Sequence, residues 1–459
     1  MKSYELVIIG AGPAGYVGAI RAAQLGIKTA VIERDKPGGV CLNIGCIPSK
    51  ALIHQAEKYN AIADLEKMGI KVDLTEFDYK KVFKKSRLAA KKLSKGVQFL
   101  LKKNKVDYIE GEAVFKNKDT LLVNDEEVKA EQIIIATGSR PKQIPGFEID
   151  EETVLSSTGA LMMEKLPKKM LVLGSGAIGV EFTHVFSSFG VEIHLVEMLD
   201  NLIPTEDEDI SKELEKAFKK RKINVYTSTK ATGFEKGENG VQVTLKDKDD
   251  NEQKVEVDKI LLAVGRDTNI QGLGLDKIGV ELEKGNFIKT GDYYETTVKG
   301  VYAVGDVTSS PLLAHVASKE AEIAVEHIAG EDTEKKLDGF LIPGAVYCEP
   351  EIGSFGLKEK DIVNQKIKIS KFPYKAIGKA TAVEQSDGFI KILTDEETGK
   401  IMGVSIIGAH ATELIHELLL AKDLGISTEK IAKLIHAHPT LSEGLMEASR
   451  MSQGWAIHV

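Results

Sequence analysis

Cysteine is scarce in this chain, with 3 among 459 residues. A chain so poor in cysteine is not built on structural disulfides, and close-set pairs in such chains are usually catalytic or metal-binding. Two of the three, Cys41 and Cys46, lie five residues apart, and no second Cys/His pair of suitable spacing lies nearby to complete a metal site. The pair therefore predicts a redox dithiol beside a flavin or nicotinamide cofactor, and we expect no metal.

Long hydrophobic runs are also missing, the longest being short strand-like segments such as residues 6–9 and 133–136. None is long enough to cross a membrane, and no signal or transit peptide is visible before the first strand. Positive charge is not concentrated either, because 61 Lys and Arg are mixed with 69 Asp and Glu for a net charge of −8. Without a basic patch, nucleic acid is not an expected partner. We expect a cytoplasmic enzyme that binds neither membrane nor nucleic acid.

Glycine, in contrast, forms two similar patterns. In each, a buried-strand run leads into three glycines, a helical stretch and a second strand that ends in an acidic residue. The glycines of the first copy are Gly10, Gly12 and Gly15, and those of the second are Gly174, Gly176 and Gly179. The acidic residues, Glu33 and Glu197, each follow the first glycine of their copy by 23 positions. We expect the second helix to span residues 180–189.

This order of elements is the dinucleotide-binding fingerprint. The glycines let a pyrophosphate approach a helix N-terminus closely, and the acidic side chain accepts a ribose hydroxyl. Two copies at the same spacing imply two dinucleotides. Glu197 would repel a 2′-phosphate, and residues 198–200 supply no arginine to bind one. The second site therefore favours NAD over NADP.

Residues 41–50 read Cys-Leu-Asn-Ile-Gly-Cys-Ile-Pro-Ser-Lys. This segment resembles the redox-active disulfide of the pyridine nucleotide–disulfide oxidoreductases, the flavoproteins that include glutathione, mercuric and dihydrolipoamide reductases. Pro48 suits the first turn of a helix, which would place Cys46 at the positive end of the helix dipole, where a thiolate is favoured. The resemblance covers essentially the whole chain. It implies FAD at the first fingerprint, beside the cysteines, and NAD at the second.

The resemblance also implies the residues that hold the cofactors. Residues 135–139 and 301–306 match FAD-binding elements of the family, and residues 263–266 resemble a turn that returns the chain to the FAD domain. For FAD the expected residues are Gly10, Gly12, Gly15, Glu33, Lys50, Ala113, Thr137, Gly138, Asp306 and Ala314. For NAD they are Gly174, Gly176, Ile178, Gly179, Glu181, Glu197 and Gly265. Lys50 is expected to meet Glu181 near the flavin, where a cation would stabilise the Cys46 thiolate.

A second candidate for chemistry lies near the end, where residues 436–443 read His-Ala-His-Pro-Thr-Leu-Ser-Glu. Thiol–disulfide exchange needs a base, and histidine is suited to that task near neutral pH. The segment resembles the family's His-Pro-Thr-x-x-Glu motif, which implies His438 as base and Glu443 as its partner, while His436 is expected to be structural. In the family this C-terminal domain forms the dimer interface, and its histidine completes the active site of the partner subunit, so we expect a homodimer.

The fold class that follows is α/β, with two Rossmann-like dinucleotide-binding domains and a C-terminal α+β dimerisation domain. We expect the FAD-binding domain to be discontinuous, over residues 1–143 and 265–335. The NAD-binding domain would span residues 144–264, and the interface domain residues 336–459. Stretches rich in β-structure are expected at residues 346–356 and 388–394, followed by helices.

Within the family, residues 47–50 and 436–443 most resemble the members that oxidise dihydrolipoamide. The resemblance implies NAD as acceptor, Cys41 toward the substrate and Cys46 toward the flavin. Expected partners are lipoyl-domain-bearing proteins of 2-oxo acid dehydrogenase or glycine cleavage complexes. Another disulfide or mercuric reductase is an alternative, although an arginine-rich NADP site and a C-terminal vicinal cysteine pair are missing.

A sensor or transhydrogenase that uses no dithiol is a further alternative, which the loss of either redox cysteine or of His438 would indicate; all three are present. The chain departs from the family pattern in having Ala14 for a common glycine, and Cys348 where threonine is expected. We expect Cys348 to be a small buried residue.

Overall fold

A computed structural model describes residues 2–237 and 240–459 of the chain. The helices are α1 (Pro13–Gln24), α2 (Gly39–Ile44), α3 (Cys46–Lys67), α4 (Tyr79–Lys103), α5 (Ser157–Met162), α6 (Ala177–Ser188), α7 (Glu208–Lys220), α8 (Leu275–Ile278), α9 (Ala314–Ala329), α10 (Gly378–Ala382), α11 (Ala411–Asp423), α12 (Thr428–Ala432) and α13 (Glu443–Ser452). The strands are β1 (Lys2–Ile9), β2 (Thr29–Glu33), β3 (Asp107–Glu110), β4 (Ala113–Asn117), β5 (Thr120–Val123), β6 (Glu126–Ile135), β7 (Ser139–Pro141), β8 (Val154–Leu155), β9 (Lys169–Leu173), β10 (Glu192–Val196), β11 (Asn224–Tyr226), β12 (Thr229–Lys236), β13 (Val241–Asp247), β14 (Glu252–Val257), β15 (Lys259–Leu262), β16 (Arg266–Thr268), β17 (Leu282–Glu283), β18 (Phe287–Ile288), β19 (Val301–Ala303), β20 (Gly344–Val346), β21 (Glu351–Gly356), β22 (Ile367–Pro373), β23 (Phe389–Asp395) and β24 (Ile401–Gly408).

The first sheet is centred on β1. Its parallel part runs β3, β2, β1, β6 and β19, and the antiparallel strands β5 and β4 extend it beside the first half of β6. Ile8 of β1 pairs with Val31 of β2 on one side and with Ile134 of β6 on the other. These strands are apolar along their length because helices cover parallel sheets on both faces. Their carboxyl ends form the edge at which the first glycine loop lies.

The second sheet repeats this plan with parallel strands in the order β11, β10, β9, β15 and β8. A separate antiparallel sheet, β12 to β14, follows β11. Helix α6 leaves β9 through the second glycine loop and begins at Ala177, three residues before the expected start, and ends at Ser188. The earlier start arises because Gly176 itself is the N-cap, so the glycine loop supplies part of the first turn.

The two sheets are joined by a pair of adjacent crossings. Each of the three large sheets, with the helices packed on it, forms a unit that we number as the sheet. Strand β7 leads out of the first unit and β16 leads back into it, and these two strands pair antiparallel, with Thr268 opposite Ser139. The domain limits expected from the sequence fall at residue 143, between β7 and β8, at residue 264, between β15 and β16, and at residue 335, between α9 and β20.

The third sheet is antiparallel in the order β20, β21, β24, β23 and β22, with α11 against β21 and β24 and α13 against β22 and β23. The stretch expected to be rich in β-structure at residues 346–356 divides into the end of β20, a turn at residues 347–350, and β21. That turn, which contains the buried Cys348, points away from the third sheet toward α6.

The three units share one hydrophobic cluster, to which Leu52 of α3, Val172 of β9 and Ile407 of β24 all belong. The second and third units are also joined by a buried ion-pair group, because the fully buried Lys391 ammonium of β23 lies 2.8 Å from Asp207, the N-cap of α7, and 2.7 Å from Asp209 in the first turn of that helix. This packing fixes the third unit against the second. Within the described residues, no helix has the length and apolar character needed to span a bilayer.

Candidate active site

The two cysteines lie on either side of a break between α2 and α3. Cys41 is inside α2, and Cys46 is the first residue of α3, after Gly45. A side chain at Gly45 would place its Cβ 2.9 Å from the Val40 carbonyl oxygen, so the break requires a residue without a side chain. The loop thus turns the chain sharply enough to bring the two thiols together, and both are free and half-buried.

The two thiols are electrostatically unequal. The hydrogen bond from Cys41 lowers the pKa of the Cys46 thiol, burial opposes that change, and the nearby Lys50 ammonium lowers the pKa further. The same hydrogen bond, together with burial, raises the pKa of the Cys41 thiol above its ordinary value. The Lys50 ammonium and the start of α3 both favour negative charge on Cys46 when the pair is reduced.

Lys50 follows Cys46 by one helical turn and reaches across to the second unit. Its ammonium donates to Glu181 of α6, with Nζ 2.8 Å from Oε2 and 3.0 Å from Oε1. The third unit also contributes, since the Tyr347 backbone N–H donates to Glu181 Oε1 at 3.2 Å. The structure thus brings the expected pair together and adds Tyr347, whose place the sequence did not reveal.

The first glycine loop fits a dinucleotide pyrophosphate. A Cβ at Gly10 would lie 2.4 Å from the Ala136 carbonyl oxygen, and one at Gly15 would lie 1.8 Å from the Gly10 carbonyl oxygen. At Gly12, in contrast, a Cβ would have only the Gly39 Cα within reach, at 4.0 Å. Gly12 is the N-cap of α1, and no side chain caps this end of the helix. The N–H groups at the N-terminus of α1 are therefore available to a phosphate.

The second glycine loop has the same form. A Cβ at Gly174 would lie 2.5 Å from the Ala263 carbonyl oxygen and one at Gly179 would lie 1.9 Å from the Gly174 carbonyl oxygen, while Gly176 faces open space. Half-buried Ile178 lies in the first turn of α6. Gly265, with φ of +118°, lies in the crossing next to this loop and accepts a hydrogen bond from Lys142 N.

The two acidic residues at the strand ends are anchored in a similar way. Glu33 Oε2 accepts the Ala11 N–H at 2.7 Å, and Glu197 Oε2 accepts the Ser175 N–H at 2.9 Å. Each carboxylate is thus fixed against its glycine loop, where carboxylate lone pairs can also accept ribose hydroxyls. The residues present therefore fit one dinucleotide at each loop.

Asp306 lies just after β19 in a network that reaches the second crossing. The Ser139 hydroxyl donates to Asp306 Oδ2 at 2.5 Å, and Arg266 Nε donates to the Ser139 hydroxyl at 2.7 Å. The neighbouring Thr137 hydroxyl donates to the Asn269 carbonyl oxygen at 2.7 Å, which fixes the segment that contains Gly138. Arg266 was expected only as part of a turn, and its contact with this site depends on the pairing of β7 with β16.

Two other expected FAD residues lie at different places in the first unit. Ala314 is the first residue of α9, whose N-terminus has no side-chain cap, so its N–H groups are available to a ligand. Ala113 is buried at the start of β4 and pairs with Val123. A buried residue that the sequence did not single out, Glu320 of α9, accepts the Gly305 N–H beside Asp306 at 2.6 Å. Burial raises the pKa of Glu320 to about 7, and the Asp306 charge adds to that increase.

His438 and Glu443 form a pair at the start of α13. His438 Nδ1 lies 2.9 Å from Glu443 Oε1, and the Thr440 N–H donates to Glu443 Oε2 at 2.9 Å. Although burial raises the pKa of Glu443, these hydrogen bonds bring it below its ordinary value. The carboxylate therefore stays charged and orients the ring, leaving Nε2 to act on a proton. His436 contacts a different carboxylate, with its Nε2 3.0 Å from Glu417 Oε1.

Within one copy of the chain, the His438–Glu443 pair lies apart from the Cys41–Cys46 pair. The His438 side chain is 76% exposed, and nearby Ile435 is 94% exposed. Over residues 2–237 and 240–459, no hydrogen bond or ion pair joins His438 to Cys41 or Cys46. Cys348 also stays apart from the redox pair, because its thiol is buried and donates to the Pro350 carbonyl oxygen at 3.3 Å.

Comparison with known proteins agrees with this geometry. The family model described as pyridine nucleotide-disulphide oxidoreductase matches residues 4–321, and the model of the dimerisation domain of that family matches residues 342–449. The dihydrolipoyl dehydrogenase of Thermus scotoductus is 42% identical over 100% of this chain and 99% of its own length. A dihydrolipoyl dehydrogenase of Bacillus subtilis is 41% identical over 99% of each chain.

Among solved structures, LpdA from Mycobacterium tuberculosis superimposes with a TM-score of 0.89 at 27% identity, covering 98% of this chain and 99% of that one. The HOCl-induced flavoprotein disulfide reductase RclA from Escherichia coli, in a Cu(II) complex, gives a TM-score of 0.88 at 26% identity, covering 98% and 100%. These matches confirm the family resemblance and the α/β fold class with a C-terminal dimerisation domain.

Proposed function

The chain belongs to the pyridine nucleotide-disulphide oxidoreductase family, and we propose on that basis that it is an NAD-dependent dihydrolipoyl dehydrogenase. Its cofactors are FAD and NAD. The observation that carries the proposal is the position of the cysteine pair, because Cys46 begins α3 near the Lys50 ammonium and Cys41 lies just across the break at Gly45, an arrangement suited to a dithiol–disulfide couple. The full-length relatives named dihydrolipoyl dehydrogenase support the choice of substrate.

The first step is removal of a proton from the substrate dithiol by His438, which Glu443 orients. The substrate thiolate then attacks Sγ of Cys41, breaks the Cys41–Cys46 bond, and leaves Cys46 as a thiolate beside Lys50. The sulfur of the second substrate thiol then attacks the substrate sulfur that is bonded to Cys41 Sγ. This bond breaks, and the leaving Cys41 sulfur takes the proton of the second thiol. Lipoamide closes, and the enzyme is left with a Cys41 thiol, a Cys46 thiolate and a protonated His438.

The residues around the two loops orient the cofactors for the second half of the reaction. When bound, FAD would supply the redox chemistry that connects the dithiol to NAD. The first glycine loop, Glu33 and Asp306 would hold FAD, and the second glycine loop with Glu197 would hold NAD. Lys50 would supply positive charge beside the Cys46 thiolate and toward the flavin site.

A homodimer accounts for the separation of the histidine and cysteine pairs. In the dimer, the partner subunit's His438 would serve the Cys41–Cys46 pair of this subunit, and the exposed His438 and Ile435 side chains are consistent with a surface that another copy covers. We place the enzyme in the cytoplasm, where its partners would be the lipoyl-domain-bearing proteins of 2-oxo acid dehydrogenase or glycine cleavage complexes.

Steady-state turnover tests the substrate. With the flavin-loaded dimer, reduction of NAD by dihydrolipoamide is compared with reduction of glutathione disulfide and of mercuric ion by NADH and NADPH. We expect dihydrolipoamide with NAD to be the fastest combination by a wide margin. Faster turnover of glutathione disulfide or mercuric ion would refute the assignment.

A further inference from the structure

We propose that Tyr347 is a positioning residue, whose ring holds the Lys50 ammonium against Glu181 and so keeps that charge beside Cys46. The inference rests on the proposed function, because it concerns the thiolate of the same site. It assigns a role in the redox site to the third unit of this same chain, whereas the histidine proposed to serve that site is the partner subunit's His438.

The ammonium of Lys50 is enclosed on two sides. Glu181 receives it with both carboxylate oxygens, at 2.8 and 3.0 Å. On the other side Lys50 Nζ lies 4.3 Å from the centroid of the Tyr347 ring, within the range of a cation–π contact. One residue from each of the three units thus meets at this point: Lys50 from α3, Glu181 from α6, and Tyr347 from the turn between β20 and β21.

The ring is fixed in this position by its own backbone. The Tyr347 N–H donates to Glu181 Oε1 at 3.2 Å, and the next residue, Cys348, is buried in the cluster that the three units share. The turn therefore cannot move without losing a hydrogen bond to the same carboxylate that binds Lys50. Tyr347 is joined to both members of the ion pair, to Glu181 through its backbone and to Lys50 through its ring.

Lys50 needs such support because it is a long side chain that remains 33% exposed. A flexible lysine at a wet site has other rotamers that point its charge into solvent. Without the ring on one side, the ammonium would spend more time away from the thiol of Cys46, and the thiolate would lose part of its stabilisation. A cation–π contact of ordinary strength corresponds to about a three- to tenfold change in such an equilibrium.

The competing explanation is that Tyr347 only fills space between the units. Leucine in its place would then lower stability without altering the ionisation of Cys46. Phenylalanine at position 347 also separates the two explanations, because it keeps the ring over Lys50 and removes only the hydroxyl. Phe355 of β21, a buried ring in the strand that follows the turn, offers a control loss of aromatic packing away from Lys50.

The experiment measures the ionisation of Cys46 in the flavin-loaded dimer, with Cys41→Ser as the common background so that one redox thiol remains. The rate of alkylation by iodoacetamide between pH 5 and 10 gives the apparent thiol pKa, and the thiolate–flavin charge-transfer absorption gives it independently. Urea unfolding of each variant reports stability.

We expect Tyr347→Leu to slow alkylation about three- to tenfold at a pH below the apparent pKa, and Tyr347→Phe to leave it unchanged. Phe355→Leu should lower stability without changing the apparent pKa. In a Lys50→Met background, Tyr347→Leu should add no further change, since the cation on which the ring acts is missing.

An unchanged apparent pKa in Tyr347→Leu would overturn the inference, as would an equal change in Phe355→Leu or a full effect without Lys50. Dihydrolipoamide turnover of the unmodified chain is measured separately. If that turnover fails while the ionisation changes as expected, the substrate assignment is wrong and the role of Tyr347 stands.

Discussion

Glu320 makes the free energy of unfolding of this protein fall as pH rises. Its side chain is completely buried in α9, and it accepts the Gly305 N–H next to Asp306. Burial raises the pKa of its carboxyl from 4.5 to about 7. Between these two values the folded chain keeps a proton that the unfolded chain has released, so the free energy of unfolding must fall as pH rises.

The size of the effect follows from the pKa change. At about 1.4 kcal/mol per pKa unit, an increase from 4.5 to about 7 corresponds to a loss of about 3 kcal/mol of unfolding free energy as pH rises from below 4.5 to above 7. The stabilisation from the protonated carboxyl is complete below the unfolded pKa and is lost once pH passes the folded pKa. Above that pH the contribution is constant.

The test compares Glu320→Gln with the unmodified chain. Urea unfolding of the flavin-loaded enzyme, followed by far-ultraviolet circular dichroism, gives the free energy of unfolding at several pH values from 4.5 to 8. Because glutamine does not titrate, the variant should gain about 3 kcal/mol relative to the unmodified chain over this range. Glu322→Gln, on the same helix but partly exposed, is the control and should show no such trend. Parallel pH curves for Glu320→Gln and the unmodified chain would refute the argument.

The remaining predictions concern the proposed chemistry. His438→Gln should lower dithiol oxidation by about two to four orders of magnitude, the range for loss of a general base, and near-normal turnover at pH 7 would mean that the base lies elsewhere. Cys46→Ser should abolish dithiol turnover but retain NADH oxidation by an artificial dye, because both cofactor sites remain intact; loss of both activities would contradict this separation. Replacing Glu197 with alanine should narrow a preference for NAD over NADP of about a hundredfold or more, chiefly through weaker NAD binding in kinetic titrations. Replacing Glu33 should instead release flavin, measured by absorbance after gel filtration. If Glu33 variants changed NAD affinity and Glu197 variants released flavin, the assignment of the two loops to FAD and NAD would be reversed.

Local sequence was sufficient for the features that depend on backbone geometry. The spacing of the glycines determines where the chain can turn closely, since Gly10 and Gly174 both face a carbonyl oxygen that any side chain would strike. The common spacing of 23 positions from the first glycine likewise placed Glu33 and Glu197 at strand ends next to the loops. Cys41 and Cys46 lie only five positions apart, and the break at Gly45 between their two helices brings the thiols together.

Other properties depend on contacts between distant parts of the chain. The Lys50–Glu181 pair could be expected only from the family resemblance, and Tyr347 joins it because β20 and β21 turn toward α6. The raised pKa of Glu320 arises from burial, which no local pattern of residues reports.

Arg266 reaches Ser139 through the pairing of two strands that lie 127 positions apart. The sequence by itself therefore located the two glycine loops and the close cysteine pair, and its family resemblance indicated the histidine motif. Only the tertiary structure decided which charges lie beside the thiolate and which are buried, because solvation and Coulomb interactions depend on distance in space and not on separation along the chain.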